Sequence, residues 1–204
     1  MARKRNIETE AKIAAAATAL FCTQGYVDTT MAAIAKDAGV AVQTLYLRHG
    51  SKAAILSATL DAAIAGDADD VTVTDRPDGF FGQSLAEPDA RRAIGIAVHG
   101  ARCICDRTHQ LYEVIRSAAA DPEVADVLEK NRTERIGGLR TLAKAIAKKH
   151  GYDPSVPVQR TADLLYTLGT EDAYLLFVAD RGWKPEVWEH WVQDTITTQV
   201  LLRT

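Results

Sequence analysis

The stretch VQTLYLRHGSK, residues 42–52, carries Val42, Gln43, Thr44, Tyr46 and Arg48 within seven residues. Apolar, amide, hydroxyl, phenol and guanidinium groups together are the set that reaches base edges and phosphates. Lys52 follows in the predicted first turn of the next helix. The partial positive charge of a helix start already favours an anion, and macrodipole logic alone would place an acid there. A lysine at that position points to a phosphate partner. Arg3, Lys4 and Arg5 form a basic arm ahead of the first helical pattern. The chemistry these types do together is recognition of a nucleic acid.

Charge is distributed in the same sense. The chain has 204 residues and a formal net charge of -3. Residues 1–52 hold seven Lys or Arg against four acids, a balance of +3, which leaves -6 on the rest. A basic head on an acidic body suggests that only the head meets an anion.

Two short helices must position that polar face. The segment TMAAIAKDAGVAVQTLY, residues 30–46, holds an alanine-rich helical pattern, one glycine and a second short pattern, neither long enough to be stable alone. In a helix-turn-helix the two helices cross steeply and their backbones approach closely. Ala35 is small enough for that approach, Gly39 tolerates the positive φ of a sharp turn, and Leu45 can anchor the second helix on the first. An αα-hairpin inside a bundle would use the same spacing. The basic arm, Lys52 and the polar face favour DNA.

The remaining periodicity is helical almost throughout. Residues 7–24 repeat apolar positions at Ile7, Ile13, Ala16, Ala17, Leu20 and Phe21, and Gly25 follows as a terminator. Thr29 or Thr30 can cap the next helix, and Ser51 a fourth that runs to Gly66. Residues 67–86, rich in Asp, Gly and Pro, read as an irregular connection. Beyond them the pattern predicts helices over 87–105, 108–120, 122–150, 156–181 and 185–203, with Pro88, Pro122, Pro157 and Pro185 near four of the starts. The expectation is an all-α protein of about nine helices. No apolar run reaches the roughly 18 residues of a membrane span, and the charged N-terminus lacks the apolar stretch of a secretory signal. Cys22, Cys103 and Cys105 are odd in number and lack CxxC spacing, which argues against a disulfide framework and for a reducing cytoplasm.

The run FCTQGYVDTTMAAIAKDAGVAVQTLYLRHGSKAAIL, residues 21–56, carries a more specific signal. Phe21, Gly25-Tyr26, Thr29-Thr30, Ile34-Ala35, Ala38-Gly39-Val40, Thr44-Leu45-Tyr46 and Ser51-Lys52 stand in the register of the DNA-binding domain of the tetracycline-repressor (TetR) family, which this stretch resembles. Beyond the fourth helix only the all-helical layout is similar. Two positions depart from the pattern: His49 stands where the family usually has an aromatic or aliphatic residue, and Ala41 where it often has a serine or similar cap. The third helix should then form through packing of Leu45 and Tyr46, and His49 is either a packing substitute or an extra phosphate contact.

The resemblance implies a helix-turn-helix DNA-binding domain over 1–50, a connecting helix over 51–66, and a helical ligand-binding and dimerisation domain over 67–204. It implies that the third helix enters the major groove of a double-stranded operator. Gln43 would hydrogen-bond a base edge and Val42 meet a thymine methyl, while Thr29, Thr30, Thr44, Tyr46, Arg48 and Lys52 hold phosphates. One module covers one half-site, so a homodimer on a palindromic operator is implied. The family pairs its last two helices as a four-helix bundle. Here Val187, Trp188, Trp191, Ile196, Val200 and Leu201 either supply that surface or pack onto their own subunit.

Polar residues that interrupt the apolar stripes of the acidic body are candidates to hold a small-molecule effector. They are His99, Arg102, Cys103 and Tyr112, then Asn131 and Arg135 on the long helix, then Tyr166, Glu171 and Tyr174 on the 156–181 segment. Arg135 and Glu171 could equally be a buried ion pair, because buried charge without a partner is costly, and the acids could lie in a dimer interface. His99 and Cys103 share a helix face while Cys105 points elsewhere, and two ligands from one helix do not make a zinc site. The chain has no Gly-rich phosphate loop, G-x-S-x-G or HExxH, so neither catalysis nor a cofactor is expected. The reading is a repressor whose effector tilts helix 51–66 and moves the recognition helices out of groove spacing. An enzyme and a protein-interaction module are the alternatives.

Overall fold

The computed structural model describes residues 2–66 and 79–202, with side chains from residue 7 onward. The described residues are all-helical, as expected, and form ten α-helices. Helix α1 spans Ala2–Asp28 and kinks at Gly25, whose φ of 80° and ψ of 173° no L side chain adopts cheaply. Helix α2, Met31–Ala38, starts on the hydroxyl of Thr30, which accepts from the Ala33 amide at 3.1 Å. Helix α3 spans Val42–His49 and α4 spans Lys52–Ala65; Ser51 caps α4 through the Ala54 amide at 3.2 Å. Next come α5, Phe80–Ala86, α6, Ala90–Ser117, and α7, Pro122–Ile146. The chain ends with α8, Val158–Leu168, α9, Glu171–Tyr174, and α10, Pro185–Val200.

Four local expectations are corrected. Of the irregular connection over 67–86, residues 67–78 lie outside the described residues, but Phe80–Ala86 is helical. Its stability is tertiary: the Phe80 ring lies against Gly100 of α6, where a Cβ would come within 2.0 Å of it, and Ser84 donates to the Ala93 carbonyl at 2.9 Å. The predicted break near 106–107 is absent, because Asp106 pairs with Arg102 one turn back and Thr108 returns its hydroxyl to the Ile104 carbonyl. The predicted single helix over 156–181 instead stops at Gly169, passes through an extended Thr170, restarts as α9 and widens into a π-helical stretch over Leu175–Asp180. The basic arm does not precede α1 but forms its first turn.

The residues fall into two compact units. One consists of the chain up to Ile64 with Gln110–Asn131; the other consists of Ala65–His109 and everything from Arg132 on. In the first, Ile13, Ala17, Phe21, Ile34, Leu45 and Ile55 are buried with Leu111, Ile115 and Val124. In the second, Ile94, Val98, Leu142, Ile146, Leu165 and Tyr174 surround Trp188, Val192, Ile196 and Val200. The apolar stripe of α10 therefore packs largely onto its own chain, through Trp188, Ile196, Val200 and the following Leu201, whereas Val187 is exposed.

Candidate nucleic-acid interface and effector site

The turn between α2 and α3 is built as its residue types require. Gly39 sits in the left-handed region at φ 68°, ψ 33°, and the Val40 amide reaches back to the Ala35 carbonyl at 2.9 Å. Ala41 offers α3 no side-chain cap. The helix is held by Leu45, which is wholly buried among Ile34, Ala35 and Phe21. Tyr46 does not share that work, against expectation: it is 55% exposed, and one buried anchor suffices for an eight-residue helix. The outward face of α3 consists of Gln43, Tyr46, Leu47 and Arg48, with Val42 and Thr44 half-buried beside it. Leu47, 88% exposed, was missed because an aliphatic residue beside Leu45 reads as core. Its offset of two from the anchor was the available signal.

Around α3, the phosphate candidates divide. The side chains of Arg3, Lys4 and Arg5 lie outside the described residues. Thr30 is exposed and already accepts a cap hydrogen bond. Thr29 is 1% exposed and donates to the Gly25 carbonyl at 2.7 Å, closing the bend after α1. Arg48 is exposed and paired with Glu10 of α1. Of the two roles open to His49 the geometry favours packing: its side chain is 11% exposed, with Nε2 3.2 Å from the other Glu10 oxygen but out of hydrogen-bond alignment. Lys52 is engaged within the chain. Its ammonium donates to the carbonyls of Tyr26 at 2.6 Å, Thr29 at 2.8 Å and Val27 at 3.3 Å, and lies 4.1 Å from the Tyr26 ring centre. Three donors meet three acceptors, so the cation ties together the backbone around the end of α1. Desolvation outweighs the nearby Asp121 and Asp28 and pulls its pKa below the ordinary lysine value.

Seven of the nine effector candidates lie in the second unit and two in the first. Tyr112 and Asn131 are buried in the unit that contains α1–α4. In the second unit, Glu189 of α10 bridges His99 at 3.0 Å and Arg102, and Arg102 also holds Asp106 and approaches Cys103 at 3.8 Å. Tyr174 donates to the second Asp106 oxygen at 2.5 Å. Burial, followed by that hydrogen bond and the Asp106 charge, raises the Tyr174 hydroxyl well above its ordinary range. Burial works against the Arg102 cation, but the hydrogen bond to Glu189 and the Asp106 charge prevail and raise its pKa. Glu171, 1% exposed, meets Arg135 at 2.6 Å and accepts from Thr108 at 2.9 Å, so the buried ion pair is the arrangement present. Tyr166 stands half-buried on α8. Asp106, Thr108 and Glu189 were missed as members of this network. Only the four-residue spacing of Arg102 and Asp106 signalled any of them.

Residues 13–59 match the model of bacterial regulatory proteins, tetR family. No curated protein sequence matches the chain. A TetR-family transcriptional regulator from Mesorhizobium loti MAFF303099 superposes with a TM-score of 0.71 at 17% identity, over 97% of this chain and 99% of that one. A transcriptional regulator from Saccharomonospora viridis, crystallised in complex with choline, does so with a TM-score of 0.69 at 16% identity, over 96% and 99%. NalD, the secondary repressor of the MexAB-OprM multidrug efflux pump in Pseudomonas aeruginosa, gives a TM-score of 0.68 at 14% identity, over 98% and 100%. No helix among the described residues is long and apolar enough to cross a membrane. The N-terminal helix-turn-helix is thus that of the bacterial regulatory proteins of the tetR family, carried on a chain with the fold of TetR-family transcriptional regulators.

Proposed function

We propose that this chain is a repressor that binds a palindromic operator as a homodimer and leaves it when a small molecule occupies its second unit. One observation carries the reading: on a single eight-residue helix, Leu45 is wholly buried while Gln43, Tyr46, Leu47 and Arg48 face outward. A helix seated on one anchor with a polar outer face can enter the major groove without rearrangement. Gln43 reads a base edge, Val42 and Leu47 offer apolar contact to thymine methyls, and Thr30, Thr44, Tyr46 and Arg48 hold phosphates. Arg48 exchanges the Glu10 carboxylate for a phosphate as it does so. Arg3, Lys4 and Arg5 add sequence-independent charge.

DNA binding is assigned to residues 1–50, the link to helix 51–66, and effector binding and pairing to 67–204. Exposed Leu176 and Val187, on the last two helical segments, support pairing there. The polar network among Arg102, Asp106, Tyr174 and Glu189 supports effector binding, as does the choline held by the Saccharomonospora viridis neighbour. Family and neighbours are regulators, which favours this reading over an enzyme.

The test is selection of bound duplexes from a random pool, then titration of the selected site and a metabolite screen for release. Gln43→Ala should change which duplex is preferred. Arg48→Ala should weaken binding to all sequences alike and reduce the salt slope by about 1. A chain that binds no duplex with salt-dependent affinity defeats the proposal and leaves a protein-interaction module in its place.

A further inference from the structure

We propose that Cys103 is an activated thiol that takes carbon electrophiles of the activated-alkene class, such as quinones, enones and maleimides. Helix α6 places His99 and Cys103 one turn apart, with Sγ 3.7 Å from the imidazole Nε2. The other ring nitrogen, Nδ1, lies 3.0 Å from Oε1 of Glu189 on α10. A carboxylate only accepts, so Nδ1 carries the proton, and in the neutral ring the Nε2 lone pair faces the thiol. Nucleophile, base and the group that orients the base are therefore all present, on two helices of one unit. Arg102 completes the arrangement. Glu189 and Asp106 hold its Nε and Nη1, and its Nη2 stands 3.8 Å from Sγ, where negative charge develops.

Access separates this cysteine from its neighbour. Cys103 is half-buried, and the His99 side chain beside it is 57% exposed. Cys105 faces the core, and burial pushes its thiol well up. Cys22 in the other unit is half-buried, and burial pushes its thiol up too.

In the reaction, His99 Nε2 takes the thiol proton as Sγ bonds to the β-carbon of the alkene. The π pair moves onto the carbonyl oxygen as an enolate, and the proton returns from His99 to the α-carbon. Nothing leaves, and no oxidant or reductant is needed. The step goes beyond operator binding and stands whether or not the chain binds DNA.

The experiment treats the full chain with limiting N-ethylmaleimide at neutral pH and resolves each cysteine by tandem mass spectrometry. Cys103 should react at least about tenfold faster than Cys22 or Cys105, and His99→Gln should remove about tenfold of that rate, less than a positioned base contributes in a complete active site. Cys22 and Cys105 should be unchanged in the variant, Cys105 serving as the reporter of any loosening of α6. A Cys103 rate no greater than that of Cys22, or one indifferent to His99→Gln in a folded chain, overturns the proposal. Should the substitution loosen α6, the wild-type ratio of Cys103 to Cys22 decides alone.

Discussion

Lys52→Met separates two roles that a lysine at the start of α4 could have. Methionine keeps an unbranched apolar stem against the Tyr26 ring and removes the ammonium, leaving the carbonyls of Tyr26, Thr29 and Val27 without it. Two of those hydrogen bonds are short, at 2.6 and 2.8 Å, and the third is long at 3.3 Å. A hydrogen bond to a charged group contributes about 1.5–3 kcal/mol, but Lys52 is only partly buried and solvent screens it. A total of about 1–3 kcal/mol is expected, a fall in the unfolding midpoint of roughly 2–12 °C for a chain of this size. The variant and wild type are compared by thermal and urea unfolding, and by operator titration at several salt concentrations. The expected outcome is a lower midpoint with the salt slope unchanged. A phosphate contact would give the reverse, a slope reduced by about 0.9 for each phosphate lost and little change in stability. That reversed result would refute the clamp.

Three further outcomes follow from the packing. Leu45→Ala empties the one fully buried position of α3 and should cost about 2–5 kcal/mol in urea unfolding, with operator affinity lost as α3 loosens; a cost well under that range would show that something else holds the helix. Arg135→Met strands a carboxylate that is 1% exposed and should destabilise by about 3–5 kcal/mol, whereas the Arg135→Met, Glu171→Leu double variant should recover most of it; a double variant as weak as the single one would deny the pair its coupling. Cys105 and Tyr174 both have folded pKa values raised above ordinary values of 9.0 and 10.0, so each stays neutral in the folded chain while the unfolded chain ionises. Their contribution is whole below those values and falls as pH rises past them, first for the thiol. Cys105→Ala should therefore flatten the early alkaline loss of stability, which a midpoint series across that range would show or contradict.

What the sequence determined alone is what depends on a residue and its near neighbours. Gly39 could be placed at the turn because only its backbone tolerates φ of 68° there, and Thr30 and Ser51 could be read as caps because a cap bonds an amide three residues on. Leu45 was legible as the anchor of α3, since a short helix needs one buried residue at the right offset. Tertiary structure decided the rest, because the partners are remote in the chain. Lys52 finds carbonyls 23 to 26 residues away, and Glu10 reaches Arg48 and His49 from α1. Glu189 meets His99 and Arg102 across some ninety positions. Helix α5 exists because Gly100 leaves room for the Phe80 ring. A donor or a ring in a sequence shows what it can bind; which group it binds depends on what the fold brings within about 3 Å of a hydrogen-bonding atom.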